Sequence, residues 1–216
     1  MDIISCVIFD MDGVIVNTEP LHKKAYFKTF KFLDLDVSDE LYHSLTGSST
    51  INAFQKLINH FDLHLNPEEL VLQKRAYFNE LFITDSDLQL IEGVEDIIKY
   101  FYNNGTTLVL ASSASNGTIN RVFERFDLNK YFIGKLSGAD LKESKPHPEI
   151  FENAAKLANT PKNKCIVIED SDNGVIAANR AGIFCVGYRS EHSKMQTLAT
   201  ADMVIESFEE LKKLPI

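Results

Sequence analysis

Val7-Ile8-Phe9-Asp10-Met11-Asp12-Gly13-Val14 is the stretch that decides how this chain folds. An apolar run ends in two aspartates separated by one residue, and a glycine follows at once. In an extended segment side chains alternate between faces, so Asp10 and Asp12 point to the same side. Two carboxylates aimed at one spot repel unless something cationic lies between them. A hard dication such as Mg²⁺ suits that spot. Taken alone, a pair of aspartates at this spacing is equally a solvated turn. Three polar clusters downstream decide between the two readings.

Working outward, short apolar runs like the first recur at Thr107 to Ala111, Lys164 to Ile168 and Ile183 to Gly187, with a weaker one at Met203 to Ile205. The first spans Ile3 to Phe9. Continuous runs of this length predict strands covered on both faces, as in a parallel sheet. Helix-period segments lie between them. Val94 to Asn104 stops before Gly105, Glu149 to Ala158 follows Pro148, and Gly174 to Ala181 ends at Gly182. Glycine after a helix and proline at its first turn are the expected punctuation. From residue 91 onward, strand and helix alternate as in a doubly wound α/β fold.

Residues 17–90 differ. No strand-like run occurs there, and Leu21 to Leu33, Asp39 to Leu45, Ile51 to Phe61 and Pro67 to Leu81 all read as helices. Pro67-Glu68-Glu69 puts proline and acids in a first turn. The expected organisation is therefore an α/β core of residues 1–16 and 91–216, with a small all-helical domain at 17–90 inserted after the first strand.

Composition narrows the function classes. The chain has 216 residues, 44% of them hydrophobic, which is enough for one large core or a core with an insert. Its net charge is −9 and it has no polybasic stretch, so no nucleic acid and no anionic membrane is expected as a partner. Cys6, Cys165 and Cys185 lie in or beside apolar runs and read as small core hydrophobes rather than a disulfide or zinc framework. With Asp2 and an immediate strand-like run no signal peptide is expected, and with no long apolar segment no transmembrane helix is expected. A reducing cytoplasm is the expected home.

In open parallel sheets, ligands gather beyond the carboxyl ends of the strands. Polar residues sit there in this sequence. The first run ends in Asp10 and Asp12, the second in Ser112-Ser113-Ala114-Ser115-Asn116, and the third in Glu169-Asp170-Ser171. A turn-rich loop, Ser144-Lys145-Pro146-His147-Pro148, carries a lysine. Each has a plainer reading: Ser115 or Asn116 as a helix cap, Lys145 as a solvated lysine, Glu169 and Asp170 as surface acids. Their joint placement at one end of the sheet favours a site. Asp10, Asp12, Glu169 and Asp170 bring −4, Lys145 +1 and a bound Mg²⁺ +2. The remainder is −1, and a proton on Asp12 brings it to zero. Without the metal the cluster carries −3 in a partly dry place, which is costly. A dication and one carboxyl with a raised pKa are the expected resolution, as for an acid/base paired with a nucleophile. Backbone N–H groups near Met11, Asp12 and Ser113, the Ser112 hydroxyl and Lys145 could then hold a phosphate.

These motifs resemble the haloacid dehalogenase superfamily. All four are present: Asp10-Met11-Asp12-Gly13-Val14, Ser112 at a strand end, Lys145 before Pro146, and Glu169-Asp170-Ser171 with Gly174. Asn17-Thr18-Glu19-Pro20-Leu21-His22 and the segment from Ser144 to Phe151 are similar to the β-phosphoglucomutase and hexose-phosphate phosphatase group. The resemblance implies a Rossmann-like core with a C1-type helical cap. It implies Asp10 as the nucleophile that forms an aspartyl-phosphate, Asp12 as general acid and base, and Ser112 and Lys145 as phosphoryl holders. It implies Mg²⁺ on the Asp10 carboxylate, the Asp12 carbonyl and Asp170, with Glu169 bound directly or through water.

Substrate choice should lie partly with the cap. His22, Thr50 and Lys74 are the candidates there, and Ser113 and Asn116 in the core. The cap loop Gly47-Ser48-Ser49-Thr50 lacks the arginine with which β-phosphoglucomutases grip a distal phosphate, and Asn17 replaces an acidic residue common in both groups. Lys74 also fits a solvated helix face. A phosphatase of small phosphomonoesters, sugar phosphates foremost, is the favoured expectation, with a phosphohexomutase as the alternative. A small phosphorylated metabolite is the expected partner. A monomer is expected, because such a cap has to move relative to its core to admit substrate.

Overall fold

The computed structural model describes residues 3–45, 50–85, 88–190 and 196–216. The chain divides into two compact units, Met1–Asn17 with Gln89–Ile216, and Thr18–Leu88.

The first unit is built on six parallel strands: β1 Cys6–Phe9, β2 Thr107–Ser112, β3 Gly134–Ser137, β4 Cys165–Glu169, β5 Phe184–Tyr188 and β6 Met203–Ile205. Their order across the sheet is β3-β2-β1-β4-β5-β6. The chain thus winds outward from β1 to one edge, then returns to β4 and winds to the other. The switch of direction falls between β1 and β4, where open α/β sheets leave a crevice. Every residue of β1 and of β4 is buried, since both strands are covered on two faces. Cys6, Ile8, Val109, Ala111, Val167 and Cys185 pack on one face with Ile150, Phe151, Val175 and Ala178. Those four belong to the helices α7 Glu149–Leu157 and α8 Asp172–Ala181 of that unit. On the other face, Phe9 meets Phe132 edge-on at 5.7 Å, and Phe132 meets Phe123 at 5.0 Å. Each such buried side chain contributes about 1.5–3 kcal/mol. The unit also holds α5 Val94–Asn103 against β2 and α6 Asn116–Arg125 against β3.

β3 does not announce itself in the sequence. Gly-Lys-Leu-Ser has no apolar run because it is a short edge strand, half-exposed over most of its length. Edge strands are commonly kept short and marked with lysine, which removes the signal that identifies central strands. β1 also starts later than the apolar run beginning at Ile3: Ile4 and Ser5 bond instead to Pro215 and Lys164 carbonyls.

Among its described residues the second unit holds four helices: α1 Glu19–Phe32, α2 Asp39–Leu45, α3 Thr50–Phe61 and α4 Pro67–Thr84. α1 begins with Pro20 in its first turn. α4 begins with Pro67 after Asn66, whose side chain accepts the Glu68 N–H at 2.9 Å. α1 lies along α4, and α3 packs on α4. Phe30, Val37, Tyr42, Phe54, Leu57 and Leu70 form its own core. The fold is a Rossmann-like α/β core with a helical cap inserted after the first strand. Gly47, Ser48 and Ser49 of the cap loop lie outside the described residues. Among the described residues no helix is long and apolar enough to cross a membrane.

Candidate active site

Register explains why the site assembles. Phe9 pairs with Leu110 on one side and Ile168 on the other, so the next residues, Asp10, Ala111 and Glu169, stand level. Lys145 bridges all three. Its Nζ donates to Asp10 Oδ1 at 2.5 Å, to Glu169 Oε1 at 2.7 Å and to the Ala111 carbonyl at 2.9 Å. The peptide bond to Pro146 that follows it is cis. All three ammonium donors are spent, and the side chains of this ion pair are almost out of water: Lys145 is 5% exposed and Glu169 1%. Burial works against the Lys145 cation, but Asp10 and Glu169 together outweigh it and hold the amine protonated.

Glu169 is saturated. Its Oε2 accepts the Asp170 N–H at 3.0 Å, the Ser171 N–H at 3.0 Å and the Ser171 hydroxyl at 2.9 Å. Ser171 in turn caps α8, accepting the Gly174 N–H at 3.1 Å. One carboxylate therefore ties Lys145 to the start of the helix. Two glycines make room for the acids. Gly13 has φ +86, a left-handed conformation that side chains resist, and a Cβ there would lie 1.9 Å from Asp170 Oδ2. A Cβ on Gly174 would lie 1.9 Å from Glu169 Oε1.

Asp10, Glu169 and Asp170 each offer a carboxylate oxygen, and these atoms lie within 4.8 Å of one another. The crowding has an electrostatic signature. Burial pushes the Asp10 carboxyl up to about 7; Lys145 opposes the rise, and Glu169 and Asp12 add to it. Burial pushes Asp170 up to about 8, with Glu169, Asp10 and Asp12 adding. With the protein groups alone, the surplus of negative charge falls on Asp10 and Asp170. Hard oxygen donors that converge, and that keep their protons for want of a nearby cation, fit a divalent ion, which displaces those protons when it binds.

A cavity of about 370 Å³ opens at this end of the sheet, and Asp10, Asp12, Ser112, Ser113, Lys145, Glu169 and Asp170 all line it. Ser112, 1% exposed, is held by the Ala114 N–H on its Oγ at 3.1 Å. Asn116 is not among the lining residues: its amide donates to Asp140 Oδ2 at 2.5 Å, beyond the end of the strand. Ser115 caps α6 by accepting the Thr118 N–H at 3.4 Å. Asp172, Asn173 and Gln196 line the cavity as well. Asp172 and Asn173 were within reach of sequence reasoning, because they follow the third cluster directly. Gln196 carries no spacing signal.

The cap unit has a polar cluster of its own. Lys74, 4% exposed, sits with Nζ 2.7 Å from His22 Nδ1 and 4.7 Å from the centre of the Tyr26 ring. His22 stacks on Phe78 at 4.3 Å. Burial, then the Lys74 charge, lowers His22 to about 3, so its ring is neutral. An ammonium can only donate, so Nδ1 accepts and the ring proton is on Nε2. Burial lowers Lys74 itself to about 8, against the pull of Glu19. Thr50 hydrogen-bonds Tyr26, and the Tyr42 hydroxyl donates to Glu19 at 3.2 Å. Sequence reasoning named His22, Lys74 and Thr50 as candidates but not Glu19, Tyr26 or Tyr42.

A profile of haloacid dehalogenase-like hydrolases matches residues 7–188. The chain is 30% identical over 177 residues to a phosphorylated carbohydrates phosphatase of Thermotoga maritima, covering 82% of this chain and 81% of that protein. It is 27% identical to the fructose-1-phosphate phosphatase YqaB of Escherichia coli, covering 85% and 95% of the two chains. Among solved structures, β-phosphoglucomutase from Clostridium difficile superposes with a TM-score of 0.74 at 28% identity, over 97% of this chain and 94% of that one.

Proposed function

The chain belongs to the haloacid dehalogenase-like hydrolase family, and from that premise we propose that this phosphoric monoester hydrolase is a Mg²⁺-dependent sugar phosphatase with Asp10 as its nucleophile. The observation that carries the reading is the buried Asp10 carboxylate, clamped by Lys145 at the switch point of the sheet and level with Glu169. In the first step the Asp10 carboxylate attacks phosphorus, the ester P–O bond breaks, and Asp12 gives its proton to the departing oxygen. In the second step Asp12 takes a proton from water, whose oxygen attacks phosphorus and releases Asp10 and inorganic phosphate. Lys145 keeps the Asp10 carboxylate oriented, and Ser112 donates to a phosphoryl oxygen. Asp10, Asp170 and the Asp12 carbonyl would hold the Mg²⁺, with Glu169 bracing them from behind; its charge would help neutralise the phosphoryl group. Cap residues His22, Lys74 and Thr50 would take part in choosing the leaving group.

The sugar specificity is supported by the named phosphatases among the relatives. The alternative, a phosphohexomutase, has the likeness to a β-phosphoglucomutase in its favour, but Gly47-Ser48-Ser49-Thr50 offers no arginine for a second phosphate. One experiment separates the readings. Phosphate release is measured over a panel of sugar monophosphates, and conversion of β-glucose 1-phosphate to glucose 6-phosphate is followed with 1,6-bisphosphate present. The expected result is hydrolysis, abolished by a chelator and by Asp10→Asn, with isomerisation slower by orders of magnitude. An inactive wild type over a broad panel sinks the phosphatase reading.

A further inference from the structure

The wall of the cavity formed by Asp172, Asn173 and Gln196 is built with more care than a loop needs. The Asp172 carboxylate accepts the Leu198 N–H at 2.7 Å, the Thr197 N–H at 3.2 Å and the Thr197 hydroxyl at 3.1 Å. Leu198 is held at φ 51, a left-handed conformation unusual for a leucine, while its side chain is 1% exposed. Such strain persists only where the surroundings over-determine it. In return, the Asp172 N–H donates to Gln196 Oε1 at 2.9 Å. That bond decides which end of the amide is which: Oε1 is engaged, and Nε2 makes no hydrogen bond among the described residues. Asn173 follows Asp172 directly and lines the same cavity.

The described groups of this wall are two amides and the Asp172 carboxylate, whose oxygens already accept from Thr197 and Leu198. Among the described lining residues the cation is Lys145, whose three donors are already committed to Asp10, Glu169 and Ala111. Among the described residues this wall offers two amides and a carboxylate but no spare cation, which is poorly suited to gripping a second phosphate. It does suit hydroxyl groups, which both donate and accept. Resting on the phosphatase reading, we propose that Gln196 is a specificity-determining residue. Its Nε2–H donates to a hydroxyl of the substrate's leaving group, and the Asn173 amide is a second contact. The substrate class is a polyhydroxylated monophosphate rather than a bisphosphate.

The test compares kcat/KM for a hexose monophosphate with that for p-nitrophenyl phosphate, whose leaving group has no such hydroxyls, in wild type, Gln196→Glu and Gln196→Met. Glutamate keeps an oxygen for the Asp172 N–H but loses the outward donor; methionine loses both. The expected result is a fall of about tenfold in the sugar-to-aryl ratio in both variants, the loss of one good hydrogen bond. An unchanged ratio in both overturns the proposal. So does a Glu variant that matches wild type while the Met variant loses both activities equally, since that pattern belongs to a residue that only supports the wall. A wild type that releases phosphate from neither compound overturns the phosphatase reading as well; an active wild type with unshifted ratios overturns this proposal alone.

Discussion

Asp170→Asn is expected to make the metal-free protein more stable at neutral pH, at the expense of its reaction. The Asp170 carboxyl stands at about 8 in the folded protein against 3.8 ordinarily, with burial the first cause and the charges of Glu169, Asp10 and Asp12 behind it. At pH 7 the unfolded chain has given up that proton and the folded chain keeps it. The difference, 7 − 3.8 = 3.2 pH units, corresponds to about 4 kcal/mol of lost stability at 1.36 kcal/mol per unit. Relaxation of the site and water at a partly exposed carboxyl cut this to about 2 kcal/mol. The sign follows from the direction of the shift. Below pH 4 both states are protonated and nothing is lost; the loss grows as pH rises from about 4 to about 8 and is constant beyond. The asparagine variant has no such titration. Urea unfolding in the presence of a chelator, at pH 4.5 and pH 7.5, measures the effect. At pH 7.5 the variant midpoint should lie higher by about 0.7 M, taking a slope of about 3 kcal/mol per molar urea. At pH 4.5 the gap should nearly close. Adding Mg²⁺ should stabilise wild type far more than the variant. Equal midpoints at pH 7.5, or a gap independent of pH, refutes the idea that burial and the neighbouring carboxylates keep Asp170 protonated in the folded protein.

Lys145→Met leaves the buried Asp10 and Glu169 carboxylates without their cation, so it should cost about 3–5 kcal/mol at neutral pH and less near pH 5; denaturation at the two pH values checks this. Gly174→Ala puts a Cβ where the Glu169 carboxylate lies, so Glu169 must move. The expectation is a kcat lower by at least tenfold with a smaller change in KM, and about 1–3 kcal/mol of lost stability, read by steady-state kinetics and urea unfolding. His22, lowered to about 3, should show no imidazole titration between pH 5 and 8, with its proton on Nε2; ¹H–¹⁵N correlation spectra of the ring read both at once.

Legibility in the sequence followed packing. β1 and β4 are buried on both faces and wrote unbroken apolar runs. Their ends were therefore visible, and with them Asp10, Glu169 and Asp170. β3, at the edge, needed no such run and left no trace. The helices of the cap unit were legible from period and from Pro67 in a first turn, whereas the Asn66 cap before it was not foreseen. Side-chain partners were another matter. Nothing in the spacing says that Lys145 reaches the Ala111 carbonyl, or that Asn116 turns to Asp140. The charge count foresaw a surplus and expected a proton on Asp12; it did not foresee that, with protein groups alone, Asp10 and Asp170 are raised, burial being the first cause for both. Burial is a property of the folded chain, and a sum of formal charges does not contain it.

The two parts of the task place different demands on the chain. Phosphoryl chemistry needs Asp10, Glu169 and Lys145 fixed relative to one another, and strand register does that: one slipped residue in β4 would carry Glu169 away from Lys145. Gly13 and Gly174 tighten the packing further, because the space a methyl group would fill is taken by carboxylates of Asp170 and Glu169. These constraints run through the backbone, so they leave motifs. Choosing a leaving group needs only a donor at the right edge of the cavity. Gln196 meets that need from a segment anchored by Asp172, and many other side chains could stand there without disturbing the sheet. A residue that answers to one ligand contact, and to no strand or helix, has no reason to show a pattern. That is why the chemistry is written in the sequence and the substrate has to be read from the walls.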